Sequence, residues 1–272
     1  MTISKENLRF EFVEMLFALA IGEVAVEISQ AIYLKIGIRE NPHIYSHLLL
    51  GALIIVLSWI GWQNSKSKGS SLEVESVFSF SFIILLLDIL LVTCYFIIVK
   101  GAEFNAIKGT TDITPDISLE IIWTLRIFFI YLVWDFVTKF IEHGISKTDS
   151  NVFKKHVKVN FQDFWNRTWP TLICILIAFI FYFFQNGNVT KEKALVVDFS
   201  LIALFFLFRG LKPDSKNRSE IKREDASLTQ SELFTEGVEQ ITIIDPFYYW
   251  RRGFAIIIPI LIIIIGFIYM LK

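Results

Sequence analysis

The sequence is poor in charged residues and contains very little cysteine. Charged residues make up 19% of the 272 residues and the formal net charge is −1, whereas soluble domains carry about 25% charged residues. The chain is therefore too apolar to form two soluble domains, and no excess of basic residues indicates a nucleic-acid partner. Its two cysteines, Cys94 and Cys174, both lie in apolar segments, so we exclude a framework of disulfides.

Motifs that would identify an enzyme are also missing. The sequence contains no HExxH, P-loop, GxGxxG or GxSxG pattern and no cysteine-based zinc pattern. The potassium-filter sequence TVGYG is absent as well. We therefore predict that the chain is not an enzyme, and we assign no catalytic residue, metal or cofactor.

The sequence is instead rich in long apolar blocks, with a hydrophobic fraction of 54%. A helix that spans a bilayer needs roughly 17–25 mostly apolar residues, and seven segments qualify. We predict an all-α, polytopic integral membrane helical bundle in the cell membrane, with residues 1–272 as a single transmembrane domain. The fifth and sixth segments are short, so they either cross fully or form a re-entrant hairpin. The predicted spans are Phe12–Leu34, Ile44–Trp62, Val77–Val99, Leu119–Ile141, Trp169–Gln185, Ala194–Phe208 and Phe254–Leu271.

Lysine and arginine are concentrated in the loops on the same side as the N-terminus, which predicts a cytoplasmic N-terminus. Two cytoplasmic segments stand out. Residues 142–168 form a basic, amphipathic connecting segment that either lies on anionic lipid of the inner leaflet or packs as an ordinary connecting helix. Residues 209–252 form a charged loop that could present a surface to a cytoplasmic protein partner.

Ionisable side chains inside the predicted spans are candidates for function, because burying charge in a bilayer is costly. The first span contains Glu14, Glu23 and Glu27. At 100° per residue, Glu23 and Glu27 share one face of a helix, and Glu14 lies on another that is nearly opposite. Either protein surrounds this helix or one side borders a water-filled path, so we predict that it bears the function.

Asp88 in the third span and Arg126 in the fourth lie at similar depths from the same membrane surface. The sequence predicts an intramembrane charge pair between them that locks the bundle. Glu23 is an alternative partner for Arg126. A role of these residues in moving ions or protons is a second interpretation.

His43 and His47 are four residues apart, a spacing that can place two imidazoles on one metal ion. They lie at the start of the second span, and no third ligand follows at a recognised spacing. The sequence therefore favours a pair that is interfacial or solvated.

The first span resembles the first helix of the lysosomal and bacterial six-helix potassium-channel family, which has a Phe-Ser-Asp motif. The resemblance implies an oligomeric channel whose first helix lines the pore. Its hydrophobic constriction would be Leu19, followed on the same face by Gly22 and Val26. The chain departs from the family at Val13, which replaces the serine, and by its seventh span. The matching residues are Phe12, Glu14, Phe17, Ala18, Leu19, Ala20, Val26, Glu27 and Ile28.

Three functions remain open from the sequence. The first is a homo-oligomeric channel for monovalent cations such as potassium, with acidic residues that attract cations and a Leu19 ring that gates by dewetting. The second is a scaffold or sensor that transports nothing and binds a partner through its cytoplasmic loops. The third is a proton-coupled secondary transporter with Glu23, Glu27, Asp88 and Arg126 as a relay.

Overall fold

The computed structural model describes residues 5–66, 80–101, 117–148, 161–185, 190–212 and 246–270. In these ranges the chain forms helices and no strand, which confirms the predicted all-helical membrane bundle. The seven helices are α1 (Lys5–Tyr33), α2 (Pro42–Lys66), α3 (Phe80–Lys100), α4 (Ile117–Thr148), α5 (Phe161–Phe184), α6 (Lys191–Leu211) and α7 (Pro246–Met270).

Five of these helices, namely α2, α3, α4, α6 and α7, contain segments long and apolar enough to cross a membrane. The α5 helix contains the shorter apolar segment Thr168–Phe184, and α1 contains several glutamates. With 24 and 21 residues, α5 and α6 are about 36 and 32 Å long at 1.5 Å per residue. The α6 helix is therefore long enough to cross a hydrocarbon core of about 30 Å by itself, whereas the apolar segment of α5 is about 26 Å long. The chain is a multi-pass integral membrane protein.

The two predicted cytoplasmic segments are only partly described. The α4 helix continues to Thr148, α5 begins at Phe161 and α7 begins at Pro246. Residues 149–160 and 213–245 lie outside the described ranges. The amphipathic character of 142–168, the charged loop 209–252 and the orientation in the membrane therefore stay predictions.

The α6 helix lies at the centre of the bundle, where it packs against α2, α4, α5 and α7. The largest buried side chains meet there: the ring of Phe128 on α4 lies 4.8 Å from Phe205 and 5.3 Å from Phe208. By contrast, α1 packs against α2 and α3 at the edge of the bundle. Among the residues that the structure describes, protein does not surround α1, and one side of this helix stays exposed.

Small residues bring α6 and α7 close together. A side chain at Gly266 on α7 would overlap Ser200 on α6, and one at Gly210 would contact the backbone of Ala255. Small residues at such crossings allow helix backbones to approach, which supplies packing energy in a bilayer where the hydrophobic effect does not drive helices together.

The turn between α1 and α2 sets the position of one end of the bundle. The Ile36 amide donates to the Ala31 carbonyl, and the Lys35 amide donates to the Ile32 carbonyl. These two bonds form a Schellman cap, in which Lys35 adopts a φ of 54°. The α2 helix then begins at Pro42, and proline is well suited to the first position of a helix.

Candidate functional site

Three ionisable side chains from three helices meet near one end of the bundle. His47 on α2, Glu120 on α4 and Asp198 on α6 are all buried, and their nitrogen and oxygen atoms lie within 4.8 Å of one another. Each residue lies about 4 to 11 Å from the start of its helix. We call this group the His47 cluster; it lies one or two helical turns below the end of the bundle.

Local structure explains how Asp198 reaches this cluster. Thr190 caps α6, and its hydroxyl accepts a hydrogen bond from the Lys193 amide. Asp198 follows two turns later, on the face that packs against α2. Ser46, which immediately precedes His47, donates a short hydrogen bond to Oδ2 of Asp198. The other oxygen, Oδ1, is buried and accepts no hydrogen bond from the residues that the structure describes.

The backbone of α3 orients the imidazole of His47. Its Nε2 lies 2.6 Å from the carbonyl oxygen of Ile98, and a carbonyl can only accept, so Nε2 carries the hydrogen. The other nitrogen, Nδ1, lies 2.5 Å from Oε1 of Glu120. Nδ1 therefore faces the carboxyl groups, and it either shares a proton with Glu120 or offers a lone pair.

Both histidines at the start of α2 are buried. His43 has a relative exposure of 3% and His47 of 5%. Of the two predicted alternatives, the solvated pair is therefore wrong, whereas an interfacial position stays a prediction. Glu120 of α4 and Asp198 of α6 lie beside His47. Glu120 and Asp198 supply the additional ligand candidates that no sequence spacing indicated.

A second charged group joins α1 to α3 at the same end of the bundle. The ammonium of Lys100 lies 2.5 Å from Oε1 of Glu23 and 2.8 Å from Oε1 of Glu27. Glu27 is fully buried, whereas Lys100 is partly exposed. We call these residues the Lys100 cluster. It confirms that Glu23 and Glu27 share one face of α1, and it gives Glu23 a partner other than Arg126.

The remaining predicted residues of α1 lie in two environments. Glu14 is partly buried and accepts a hydrogen bond of 2.9 Å from the Gln63 side chain of α2. Leu19, Gly22 and Val26 are exposed on the side away from α2 and α3. A side chain added at Gly22 would meet no atom within 4 Å. These three residues form the α1 face, which is open to lipid or to another copy of the chain.

The Asp88–Arg126 pair stays a prediction. Asp88 is buried within α3. Arg126 is exposed, and its guanidinium lies 4.1 Å from the centre of the Trp123 ring one turn earlier on α4, a distance typical of a cation–π contact.

A third charged group lies at the opposite end of the bundle. Oδ2 of the buried Asp135 lies 3.0 Å from the Lys212 ammonium and accepts a hydrogen bond of 3.3 Å from Thr171. We call these residues the Asp135 cluster. It joins α4, α5 and the end of α6, so it has the geometry of a structural lock.

Comparison with protein-family models, with curated proteins and with solved structures found no match to this chain.

Proposed function

We propose that this integral membrane protein is an oligomeric channel for monovalent cations, in which the α1 helix of each subunit lines the pore. The exposed α1 face carries this proposal. Leu19 is 54% exposed and Val26 is 47% exposed, and Gly22 lies between them with open space around its Cα. A ring of these residues around a symmetry axis would form an apolar constriction that gates by dewetting.

The charges beside the α1 face support a preference for cations. Glu23 lies at the edge of this face, and its carboxylate pairs with Lys100. The Lys100 cluster places two glutamate side chains beside one lysine, so acidic groups outnumber the basic group there. Negative side chains near a narrow path raise the local concentration of cations.

The position of α1 at the edge of the bundle also supports this arrangement. Within the described ranges, α1 packs against α2 and α3 on one side, so its other side can meet the same helix of a neighbouring subunit. Gly22 would permit a close approach between helices, as small residues do in membrane interfaces. A scaffold or transporter would instead expose this face to lipid, and Leu19 would have no special role.

Flux through purified protein in liposomes tests the proposal. Leu19→Ala should raise potassium flux several-fold, because a smaller side chain widens the constriction and favours its wetting. Leu261→Ala on α7 is the matched control, since Leu261 is 53% exposed and lies on a helix that packs against α6. Its flux should equal that of the wild type. Absence of flux under any potassium gradient, or equal flux in both variants, would contradict the channel.

A further inference from the structure

We propose that the His47 cluster binds a first-row divalent transition-metal ion, with Zn²⁺ as the expected occupant. None of its residues belongs to the α1 face, so the metal site can be tested independently of the proposed channel. Its ligands are Nδ1 of His47 and one carboxylate oxygen each from Glu120 and Asp198, whose atoms lie within 4.8 Å of one another. Imidazole and carboxylate are ordinary zinc ligands.

The hydrogen bond from His47 to the backbone prepares the imidazole for a metal. Nε2–H donates to the Ile98 carbonyl at 2.6 Å, which leaves Nδ1 on the side of the two carboxyl groups. Metal-binding histidines usually donate their second nitrogen to a carbonyl or a carboxylate, which fixes the tautomer and the ring orientation. A metal ion would replace the proton between Nδ1 and Glu120.

Asp198 provides the observation that points most directly to a ligand. Its side chain is completely buried, Ser46 fixes Oδ2, and Oδ1 accepts no hydrogen bond from a described residue. Bonds of about 2 Å require ligand atoms to lie within about 4 Å of one another. Binding would therefore draw the three side chains slightly closer together, and water would complete the coordination.

The charge of the site fits a divalent ion. In the part of the chain that the structure describes, Asp198 forms no ion pair with a lysine or arginine. With both carboxyl groups deprotonated and the imidazole neutral, the three ligands would carry two negative charges, which one divalent cation cancels. The imidazole nitrogen favours zinc and its neighbours in the first row over Mg²⁺ and Ca²⁺.

The bound ion would connect the helices at this end of the bundle. The ligands come from α2, α4 and α6, and Ile98 adds α3 through the imidazole. An ion at this point would therefore couple four helices, and its arrival or loss would change the stability of their packing.

The first test is direct metal binding to purified full-length protein after removal of any affinity tag and treatment with a chelator. Equilibrium dialysis against Zn²⁺ followed by elemental analysis should give one ion per chain, and excess Mg²⁺ or Ca²⁺ should not displace it. A wild-type protein that retains no zinc would overturn the proposal.

Variants locate the bound ion. Asp198→Asn should lower zinc affinity at least a hundredfold, because removal of outer-shell partners alone costs roughly 10- to 100-fold. Ser46→Ala should lower it about tenfold for the same reason. Asp135→Asn is the matched control, since Asp135 is equally buried but lies at the other end of the bundle, and it should bind zinc like the wild type. Equal affinity in Asp198→Asn and Asp135→Asn would place the ion elsewhere and overturn the site.

A ligand exchange distinguishes coordination from a merely structural effect and does not depend on how well Asp198→Asn folds. Asp198→Cys loaded with Co²⁺ should show a thiolate-to-cobalt absorption band that is absent from the wild type. The native Cys94 and Cys174 are buried on α3 and α5, and cobalt-loaded wild-type protein measures any background from their thiols. A cobalt-loaded, monodisperse Asp198→Cys protein without this band would show that residue 198 is not a ligand.

Discussion

The two ends of the helical bundle place buried carboxylates in different surroundings. In the Asp135 cluster, one carboxylate meets the ammonium of Lys212 and the hydroxyl of Thr171. In the His47 cluster, two carboxylates meet one imidazole and one serine hydroxyl. In the Asp135 cluster, a lysine of the chain supplies the positive charge. The His47 cluster is instead suited to bind a proton or a metal ion from solution.

This difference shows that a buried charged residue in a membrane helix can serve either helix packing or ligand binding. Burial of a carboxylate costs desolvation energy, and a lysine held beside it offsets that cost. Because the two side chains come from different helices, the pair specifies how those helices pack. Where carboxylates surround an imidazole, the positive charge that compensates them can be a proton or a metal ion, and either can exchange with solution. The Asp135 cluster therefore acts as a structural lock, and the His47 cluster is the better candidate for ligand binding.

The largest expected effect comes from removing the cation of the Asp135 cluster. Lys212→Ala should destabilise the protein by about 3–5 kcal/mol, because it leaves a buried carboxylate without this partner. The double variant Lys212→Met and Asp135→Leu should recover most of that loss, since it removes both charges. Unfolding in mixed micelles measures the differences. If the double variant were as unstable as Lys212→Ala, the pair would not be the source of the loss.

An intermediate effect is expected at the Lys100 cluster, where the cation is partly exposed. Lys100→Met should destabilise the protein by about 1–3 kcal/mol, because the buried carboxylate of Glu27 loses a hydrogen-bond donor. Glu23→Gln is the control and should have a smaller effect, since Glu23 is more exposed and an amide can still accept from Lys100. Thermal unfolding of the purified variants compares them. A larger loss for Glu23→Gln would contradict the assignment of Glu27 as the dependent partner.

The smallest effect is expected at the His47 cluster in protein from which metal has been removed. Asp198→Asn should change stability by no more than about 1 kcal/mol, because it relieves repulsion between two carboxylates while the amide oxygen still accepts from Ser46. Thermal unfolding in the presence of a chelator measures this change. A loss of stability as large as that of Lys212→Ala would show that the carboxylates at both ends of the bundle depend on fixed partners within the chain.

Sequence reasoning predicted the helices of this protein better than it predicted the contacts between them. Apolar segments must form helices in a bilayer because their backbone groups have no other partners there, so the spans followed from hydropathy. The shared face of Glu23 and Glu27 followed from helical periodicity. Their partner Lys100 was not predicted, because it lies at the end of another helix, just beyond the predicted third span.

The His47 cluster was missed for a similar reason. His47 and Glu120 are 73 residues apart, and Ser46 and Asp198 are 152 residues apart, so no local spacing connects them. One signal was present: Asp198 is an ionisable residue inside the predicted sixth span, where such residues are rare and often functional. Its position gave no indication that a histidine and a glutamate lie beside it.

By itself, the sequence determined that this chain is a multi-pass helical membrane protein, because hydrophobicity and helix length are properties of each segment alone. Only the tertiary structure decided that α6 is central, that one side of α1 stays open, and which charges meet. Those outcomes depend on how helices pack side by side, and packing brings together residues that are distant along the chain. The two ends of the bundle therefore differ in a way that no single helix reveals.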